Sequence, residues 1–411
     1  MKFENMNIEQ SIKDSINNLG FENPTEIQVE TIPLIKKGHD VIGQSETGSG
    51  KTAAFGIPIV EKVEKGKGIQ AIILAPTREL AKQISKDLES YSRLKQLYVQ
   101  TVYGGVAIMP QVSGLRKADI VVGTPGRMMD HMRRGTIDTR NLKFFVLDEA
   151  DKMIDMGFIE DIEEIERQVP KERQTLLFSA TMSSRLEDIR NRFTNNPKKV
   201  KTRSKVSDDV LKQYYCDTDP RSKFSLLVHL INEEKPSLSL IFCNTRRTAD
   251  EICMNLNSNR IDAMVLHGGL TQDKRERTLE AFHKGKIKIL VATNVAARGL
   301  DIKDVSHVFN YNIPQDKEDY ANRIGRTARA GKSGKAISLL CREDHEPFRR
   351  INRAFSYDVE KLVIKDFKNL PFKRSGPSRG GFRRGGFGNR SGNNRFGNSR
   401  FGRRRFGSRR F

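Results

Sequence analysis

The stretch Gly43-Gln44-Ser45-Glu46-Thr47-Gly48-Ser49-Gly50-Lys51-Thr52 carries the pattern that decides the fold of this chain. The short apolar run Asp40-Val41-Ile42 precedes it and Ala53-Ala54-Phe55 follows it, so the sequence predicts a strand, a glycine-rich turn and a helix start. Glycines allow backbone N–H groups to approach phosphate oxygens, and the helix N-terminus adds partial positive charge. The strict pattern has glycine where Ser45 stands, which exchanges one small residue for another.

Two side chains of this stretch are expected to contact ATP and its metal ion. Lys51 is expected to reach the β- and γ-phosphates, and the Thr52 hydroxyl is expected to hold Mg²⁺. The turn residues expected to line the phosphates are Thr47, Gly48, Ser49 and Gly50. The alternative is an ordinary Gly/Ser-rich surface turn, because short motifs also match by accident.

The composition favours a protein of two or more domains that binds a polyanion. The chain has 411 residues and a net charge of +22, which points towards nucleic acid. No apolar run approaches the roughly 18 residues of a membrane helix, and the N-terminus shows no signal-peptide core, so we expect a cytoplasmic protein. Its four cysteines are scattered without a CxxC pair, which predicts neither a zinc site nor a disulfide framework: Cys216, Cys243, Cys253 and Cys341.

Much of the positive charge lies in residues 371–411. This segment holds twelve Arg, one Lys and no acidic residue, a charge of +13, and it also holds ten Gly and seven Phe. Without aliphatic side chains it cannot build a core, so we expect it to be disordered. Three Arg-Phe-Gly units recur every five residues, led by Arg395, Arg400 and Arg405. Arginine can contact phosphate and phenylalanine can stack on bases, so the segment is predicted to bind RNA; a generic solubilising tail is the alternative.

The first 370 residues alternate between buried-strand and amphipathic-helix patterns. Continuous apolar runs predict parallel strands covered on both faces, at residues 40–42, 69–75, 119–123, 144–148, 175–179, 238–242, 263–266 and 287–291. Helix patterns fall at residues 78–91, 159–168, 246–256 and 272–282. The charged, weakly periodic stretch at residues 197–206 separates the two series. The sequence therefore predicts two doubly wound α/β domains, at residues 1–200 and 209–370, joined by a linker at residues 201–208.

An acidic pair follows one of these strands. Asp148 and Glu149 come directly after the run at residues 144–147, where the strand ends of an α/β sheet place catalytic groups. Asp148 is predicted to bind Mg²⁺, and Glu149 to orient and polarise a water molecule. The run at residues 152–166 that follows is acidic on one face and predicts a solvated helix.

The chain resembles the DEAD-box RNA helicases, because Asp148-Glu149-Ala150-Asp151 spells the name of that family in one-letter code. Further matches come in family order across roughly residues 3–370. In the first half they are the Q motif (Phe21, Pro24, Thr25, Ile27 and Gln28, with Phe3 upstream), Pro76-Thr77-Arg78-Glu79-Leu80, Gly104-Gly105, Thr124-Pro125-Gly126-Arg127 and Ser179-Ala180-Thr181. In the second half they are Asn244-Thr245, Gln272 with Arg275, residues 292–301 and Arg323-Ile324-Gly325-Arg326-Thr327-Ala328-Arg329.

The resemblance implies two tandem RecA-like domains and a role for each matching position. Gln28 would bind the adenine edge, Phe21 would stack on the ring, and Asp301 would contact the ribose. Arg326 and Arg329 would act as arginine fingers, since a planar guanidinium suits the spread charge of a transferring phosphoryl group. Asp151, Ser179 and Thr181 would couple hydrolysis to domain contacts. The implied contacts to the RNA backbone, which carries no base sequence, are Pro76, Thr77, Arg78, Gly105, Thr124, Pro125, Gly126, Arg127, Thr245, Gln272, Arg275 and Thr293.

The sequence departs from the family pattern at two positions. Asn322 stands where the family usually has histidine, and Ala328 stands where it usually has glycine. Neither change removes a charge that hydrolysis needs. They bear on rate and coupling rather than on the type of reaction.

The sequence as a whole predicts an RNA-dependent ATPase that unwinds short RNA duplexes or remodels RNA–protein complexes, with ATP and Mg²⁺ as cofactors and RNA as partner. Three alternatives stay open: an RNA chaperone with weak ATPase activity, a DNA translocase, and another phosphate-loop enzyme such as a kinase. The last would leave Arg326 and Arg329 without a role.

Overall fold

The computed structural model describes residues 2–45, 48–182, 184–202, 211–294, 305–327, 333–355 and 358–374. Contacts join the chain as far as Lys373 into one compact unit. No helix in these ranges is long and apolar enough to cross a membrane.

The first half of the chain forms a parallel sheet of seven strands. Their order is β3-β4-β2-β5-β6-β1-β7, so the strand before the phosphate-binding stretch lies next to β6. The strands are β1 (Val41–Gln44), β2 (Ala71–Leu74), β3 (Val99–Val102), β4 (Ile120–Gly123), β5 (Phe144–Leu147), β6 (Gln174–Ser179) and β7 (Lys198–Lys201). The helices are α1 (Gln10–Asn17), α2 (Glu26–Lys36), α3 (Lys51–Lys62), α4 (Arg78–Tyr91), α5 (Met109–Leu115), α6 (Pro125–Arg133), α7 (Ala150–Asp155), α8 (Ile159–Arg167) and α9 (Ser184–Phe193).

A second parallel sheet of seven strands follows. Its order is β10-β11-β9-β12-β13-β8-β14. The strands are β8 (Leu211–Asp217), β9 (Ser239–Cys243), β10 (Ala263–Leu266), β11 (Ile289–Thr293), β12 (His307–Asn310), β13 (Gly334–Leu340) and β14 (Val359–Lys361). The helices are α10 (Lys223–Glu234), α11 (Arg246–Ser258), α12 (Gln272–His283), α13 (Lys317–Ile324) and α14 (His345–Phe355).

Helices cover each sheet on both faces, as is usual for parallel sheets. Because alternate strand residues point to opposite sides, each strand contributes to two core clusters. In the first sheet, Val146 and Phe178 belong to the core cluster that also holds residues of α2, α3 and α4. Phe145, next to Val146 on β5, and Leu177, next to Phe178 on β6, belong to the cluster that holds residues of α6, α7, α8 and α9. The prediction of two doubly wound α/β domains is confirmed, and all strands of a sheet end at the same edge.

Side-chain caps fix where the helices at that edge begin. The Thr77 hydroxyl accepts a hydrogen bond from the backbone of Leu80 at the start of α4, and the Thr245 hydroxyl accepts one from Thr248 at the start of α11. Such caps satisfy backbone donors that have no partner inside the helix. Thr77 lies three residues after the end of β2 and Thr245 two residues after the end of β9, so both helices begin at the edge where the site forms.

The structure corrects three expectations about segments between the motifs. Lys198–Lys201, at the start of the stretch predicted to separate the domains, forms β7 and pairs with β1 at the edge of the first sheet. Residues 152–166 form parts of two helices, α7 and α8, rather than one solvated helix. Lys152 itself is buried, because it folds back onto Glu149.

The expected tail also begins later than residue 371. A segment that we call the C-terminal strap, residues 362–373, packs against the second domain through Leu362, Ile364, Phe367, Leu370 and Phe372. The Phe372 ring lies 5.1 Å from that of Phe224, and Asn255 bonds the backbone N–H and carbonyl of Lys373 at 2.9 and 2.8 Å. The rest of the arginine-rich segment, residues 375–411, lies outside the described residues.

Candidate nucleotide and RNA site

The glycine-rich turn after β1 places Lys51 at the first position of α3. Gly50, the residue before the helix, has φ of +90°, a backbone conformation that glycine adopts without strain. Lys51 is buried, and its Nζ donates to the carbonyl oxygen of Ser45 at 2.5 Å. The hydroxyls of Ser45 and Ser49 lie 2.7 Å apart, so the serine in place of glycine joins the two ends of the turn. Gly48 and Thr52 lie in the same turn and helix start, while Thr47 lies outside the described residues.

Gln28 ties the predicted adenine-binding segment to this turn. Its Oε1 accepts from the backbone N–H of Thr25 at 2.9 Å, and its Nε2 donates to the carbonyl oxygen of Gly50 at 3.0 Å. The Thr25 hydroxyl donates to the carbonyl of Ser49 at 2.8 Å. An amide has two N–H groups and two acceptor lone pairs, so Gln28 keeps capacity for an adenine edge while it holds the turn.

Phe21 lies on an aromatic cluster at the same side of the domain. Its ring is 6.4 Å from that of Phe3, nearly parallel to it, and 6.4 Å from the ring of Tyr91. Phe3 is buried, whereas Phe21 is 37% exposed. The outer ring of the cluster is therefore open to a planar ligand, and the inner ring supports it.

Asp148 and Glu149 follow β5 and are both buried. Burial raises the pKa of Asp148 to about 7, although the positive charge of Lys51 acts in the opposite direction. Desolvation of a carboxylate has this effect because the charged form loses its hydration. A cation bound beside Lys51 would restore the charged form, so the buried carboxylate fits a magnesium ligand.

Glu149 has an unusual backbone and an unexpected partner. Its φ of +51° lies in the left-handed region, which is uncommon for a residue with a side chain and recurs at functional sites. Oε1 of its carboxylate accepts from Nζ of Lys152 at 2.7 Å. Oε2 is buried and has no hydrogen-bond partner among the described residues.

Asp151 is bonded to the residues that directly follow β6. Its Oδ2 accepts from the backbone N–H of Ala180 at 3.1 Å and from both the N–H and the hydroxyl of Thr181. The Ser179 hydroxyl donates to the carbonyl of Thr181, and the Ser179 carbonyl accepts from the backbone of Ser45 at 3.0 Å. The residues predicted to couple hydrolysis to domain contacts thus form one hydrogen-bonded unit with the start of the phosphate-binding turn.

Arg326 of the second domain is buried and acts on the first domain. Burial lowers the pKa of Lys152, the Glu149 carboxylate opposes that effect, and the positive charge of Arg326 lowers this pKa further. Charges interact this strongly only at short range in a protein interior. Arg326 therefore lies within electrostatic range of Lys152, the side chain that bonds Glu149. Arg329 and Asp301 lie outside the described residues, as does Ala328.

Arg323, which the sequence analysis left without a role, organises the second half of the site. Its guanidinium donates to Oδ1 of Asn294 at 2.6 Å, Oδ1 of Asn244 at 2.9 Å and the carbonyl of Asn312 at 2.5 Å. It also lies 5.2 Å from the centre of the Phe242 ring. The sequence signal for this residue was its position in the Arg-Ile-Gly-Arg run. A guanidinium has five N–H donors, so it can bind acceptors from several segments at once.

The residues predicted to contact the RNA backbone line the strand ends of both domains. In the first, the Arg78 guanidinium fills the space beside Gly105, whose φ is +78°, and Arg127 donates to the carbonyl of Val106 at 3.2 Å. Pro76 and Thr77 lead into α4, and Thr124, Pro125 and Gly126 begin α6. In the second, Thr293 ends β11, Thr245 caps α11, and Gln272 begins α12.

Two ion pairs join α4 of the first domain to α12 of the second. Arg275 lies 2.9 Å from the Glu79 carboxylate, and both side chains are largely buried. Lys82 pairs with Glu276, which also accepts from Gln272 at 2.9 Å. The resemblance did not identify these carboxylate partners. Lys82 and Tyr103 also line an open cavity of about 510 Å³ beside Gly104 and Gly105.

These observations define the class of protein: tandem RecA-like domains with a phosphate-binding turn in the first and an arginine of the second within electrostatic range of the lysine that bonds Glu149. Family models described as DEAD/DEAH box helicase and as helicase conserved C-terminal domain match residues 25–189 and 222–331. The chain belongs to the DEAD-box family of ATP-dependent RNA helicases.

Known relatives and structures agree with that family. The chain is 46% identical over 363 residues to the DEAD-box ATP-dependent RNA helicase CshA of Geobacillus kaustophilus, covering 88% of this chain and 78% of that one. Its identity to the Bacillus subtilis CshA is 45%, with coverages of 88% and 74%. Among solved structures, Saccharomyces cerevisiae Dbp5 bound to RNA and ADP BeF3 matches with a TM-score of 0.81 and 31% identity, covering 88% of this chain and 95% of that one.

Proposed function

We propose that this chain couples the binding and hydrolysis of ATP to local unwinding of RNA duplexes or to remodelling of RNA–protein complexes. The observation that carries the proposal is the electrostatic effect of Arg326 on Lys152, because it links an arginine of the second domain to the residue that bonds Glu149 in the first. A kinase or other single-domain phosphate-loop enzyme has no use for that arrangement.

The first domain supplies the nucleotide site. Lys51 and the backbone around Gly48, Ser49 and Gly50 hold the phosphates, while Phe21 and Gln28 hold the adenine. The Thr52 hydroxyl and the Asp148 carboxylate are the residues that would hold Mg²⁺, which when bound neutralises charge on the β- and γ-phosphates. The position of Asp301 in the sequence supports a ribose contact from the second domain.

Hydrolysis follows from the groups around Glu149. A water molecule attacks the γ-phosphorus, the bond to the β,γ-bridging oxygen breaks, and ADP and inorganic phosphate form. Glu149 orients the attacking water by accepting its hydrogen bond, and Arg326, with Arg329, binds the charge that spreads over the γ-phosphoryl oxygens. The arginines act only when the domains are together, so hydrolysis is tied to domain closure.

RNA binding uses the strand ends of both domains and therefore favours the closed arrangement. Contacts through Arg78, Gly105 and Arg127 in one domain and Thr245, Arg275 and Thr293 in the other read the backbone rather than the bases. One strand held across both domains leaves the geometry of a regular duplex, so its complement is released. Phosphate release reopens the domains, and Asp151 with Ser179 and Thr181 transmits the change.

The remaining parts of the chain have supporting roles. The arginine-rich segment after Lys373 is proposed to bind RNA through charge and stacking, and it keeps RNA near the folded domains. The stretch between β7 and β8 is proposed as the hinge about which the domains close. A protein that acts on RNA in this way would work in the cytoplasm.

The test compares two variants that stop hydrolysis for different reasons. Lys51→Ala is expected to weaken ATP binding, whereas Glu149→Gln is expected to bind ATP and RNA but not to turn over. ATP affinity and RNA-stimulated phosphate release are measured for both. Lys171→Ala, an exposed lysine of the same domain, is the control. Hydrolysis by Glu149→Gln at the parental rate would contradict the assignment of Glu149.

A further inference from the structure

We propose that Lys152 is a positioning residue for ATP hydrolysis, which holds the Glu149 carboxylate in the orientation that accepts the attacking water. The inference rests on the proposed function, because it gives Lys152 a task only if Glu149 orients that water. Lys152 thus becomes a determinant of the hydrolysis rate, although it follows the Asp-Glu-Ala-Asp segment and is not part of it.

The pairing of Lys152 with Glu149 is close and almost free of solvent. Nζ of Lys152 lies 2.7 Å from Oε1 of Glu149, and the two side chains are only 4% and 7% exposed. Glu149 precedes α7 and Lys152 lies in its first turn, three residues later, so both side chains rise from the same end of the helix. The lysine therefore binds one oxygen of the carboxylate and leaves the other oxygen without a donor among the described residues.

The two oxygens of Glu149 are in different environments. Oε1 is bonded by Lys152, whereas Oε2 is buried without a hydrogen-bond partner among the residues described. A buried carboxylate oxygen without a donor is costly in free energy, so such an atom commonly marks a place that a ligand completes. Because Lys152 already bonds Oε1, Oε2 is the oxygen that has both acceptor positions left for the attacking water.

The surroundings explain why this lysine stays on Glu149. Asp151 also attracts it, but Oδ2 of Asp151 is already bonded to Ala180 and Thr181. The positive charge of Arg326 repels Lys152 from the second domain. Glu149 is therefore the carboxylate to which Lys152 donates, and the pair restricts the rotation of a side chain whose backbone is already confined to the left-handed region.

The first experiment removes the charge and keeps the length of the side chain. For Lys152→Met we expect kcat at saturating ATP and RNA to fall by about 10²-fold, because a small misplacement of a reacting group has an effect of that size. The KM for ATP and the affinity for RNA should stay within about twofold. Lys152→Arg, which can still donate to Oε1, should recover much of the rate, and Lys171→Met, an exposed lysine of the same domain, should match the parent.

A double-mutant cycle shows whether Lys152 acts through Glu149. If it does, the variant with both Lys152→Met and Glu149→Gln should hydrolyse ATP no more slowly than Glu149→Gln alone. A further loss of rate in the double variant would overturn the inference. A rise in RNA-independent hydrolysis in Lys152→Met would also overturn it, because Lys152 would then restrain Glu149. Lys152→Gln replaces Lys152→Met if the latter fails to bind an ATP analogue or to unfold cooperatively.

The same measurements separate this inference from the proposed function. Parental hydrolysis by Glu149→Gln would overturn the role of Glu149 and the inference with it. An inactive Glu149→Gln together with a fully active Lys152→Met would overturn the role of Lys152 alone.

Discussion

Oδ2 of Asp151 accepts hydrogen bonds from the backbone N–H and the hydroxyl of Thr181, at 2.9 and 3.0 Å. The last residue of the Asp-Glu-Ala-Asp segment is thus fastened to the segment that follows β6. We therefore expect a displacement at the end of β5 to be passed to Ala180 and Thr181 through a charged acceptor, because such hydrogen bonds are stronger than neutral ones.

Removing one of these bonds should separate hydrolysis from unwinding. Thr181→Val keeps the shape of the side chain and loses its hydroxyl. Removing one partner of a hydrogen bond to a charged group costs about 1–3 kcal/mol of free energy. We expect ATP hydrolysis within a few-fold of the parent and about tenfold fewer duplexes released per ATP. Parallel assays of phosphate release and strand displacement give that ratio. Thr139→Val, before the start of β5, is the control, and an unchanged ratio in Thr181→Val would contradict the coupling role.

Arg326 should contribute to turnover much more than to RNA binding. Arg326→Ala is expected to lose about 10³- to 10⁵-fold of the RNA-stimulated rate, the range of arginine fingers in phosphoryl transfer. Affinity for RNA without nucleotide should stay near that of the parent. Arg349→Ala, an exposed arginine of the same domain, is the matched control. Equal losses of RNA affinity and of turnover would show that Arg326 contacts RNA.

Arg323 should matter first for the stability of the second domain. Arg323→Gln removes the guanidinium that now donates to the side-chain oxygens of Asn244 and Asn294, which are partly buried, and of Asn310, which is buried. We therefore expect a destabilisation of about 3 kcal/mol or more. Thermal unfolding followed by circular dichroism measures the change. Arg350→Gln, whose side chain is largely exposed, should unfold like the parent. An equal midpoint for both variants would contradict the organising role.

Truncation after Lys373 should weaken RNA binding and leave hydrolysis at saturating RNA unchanged. The cut spares Phe372 and Lys373, which pack on the second domain. The twelve arginines removed neutralise phosphates, and single strands give a slope of about −0.7 in log affinity per contact against log salt. If half of them bind, the slope should flatten by about 4.

A variant with the phenylalanines after Lys373 changed to alanine isolates stacking, because it keeps every arginine. It should lose less affinity than the truncation. RNA titrations at several salt concentrations compare the three proteins. An unchanged affinity and slope after truncation would identify the segment as a partner-binding or solubility element.

Eight of the fourteen strands in the described residues were predicted, because continuous apolar runs mark them, whereas β3, β7, β8, β12, β13 and β14 were not. The apolar runs at residues 144–148 and 175–179 predicted β5 and β6 for this reason. The edge strand β7 was missed because Lys198, Lys199 and Lys201 are exposed and only Val200 is buried. An edge strand needs apolar residues on one face alone, and four residues are too few to show that alternation.

The composition of the site was predictable but its internal bonding was not. The motifs identified Glu149 and Gln28 because their neighbours in sequence carry the pattern. Lys152 was read as part of a solvated helix, since only the folded chain shows that its side chain turns back onto Glu149. Gln28 was predicted to bind adenine, and its bond to Gly50 depends on two segments that meet in space alone.

The ion pairs between α4 and α12 have a consequence for how RNA enters. Glu79 holds Arg275 where a phosphate is expected to sit, and Glu276 holds both Lys82 and Gln272. RNA that reaches Arg275 therefore has to replace the Glu79 carboxylate, which offsets part of the electrostatic gain of that contact. The folded domains should accordingly attract RNA less strongly than their number of cations suggests. Their acidic side chains compete with RNA for these cations. We therefore expect a short or weakly bound polyanion not to displace them.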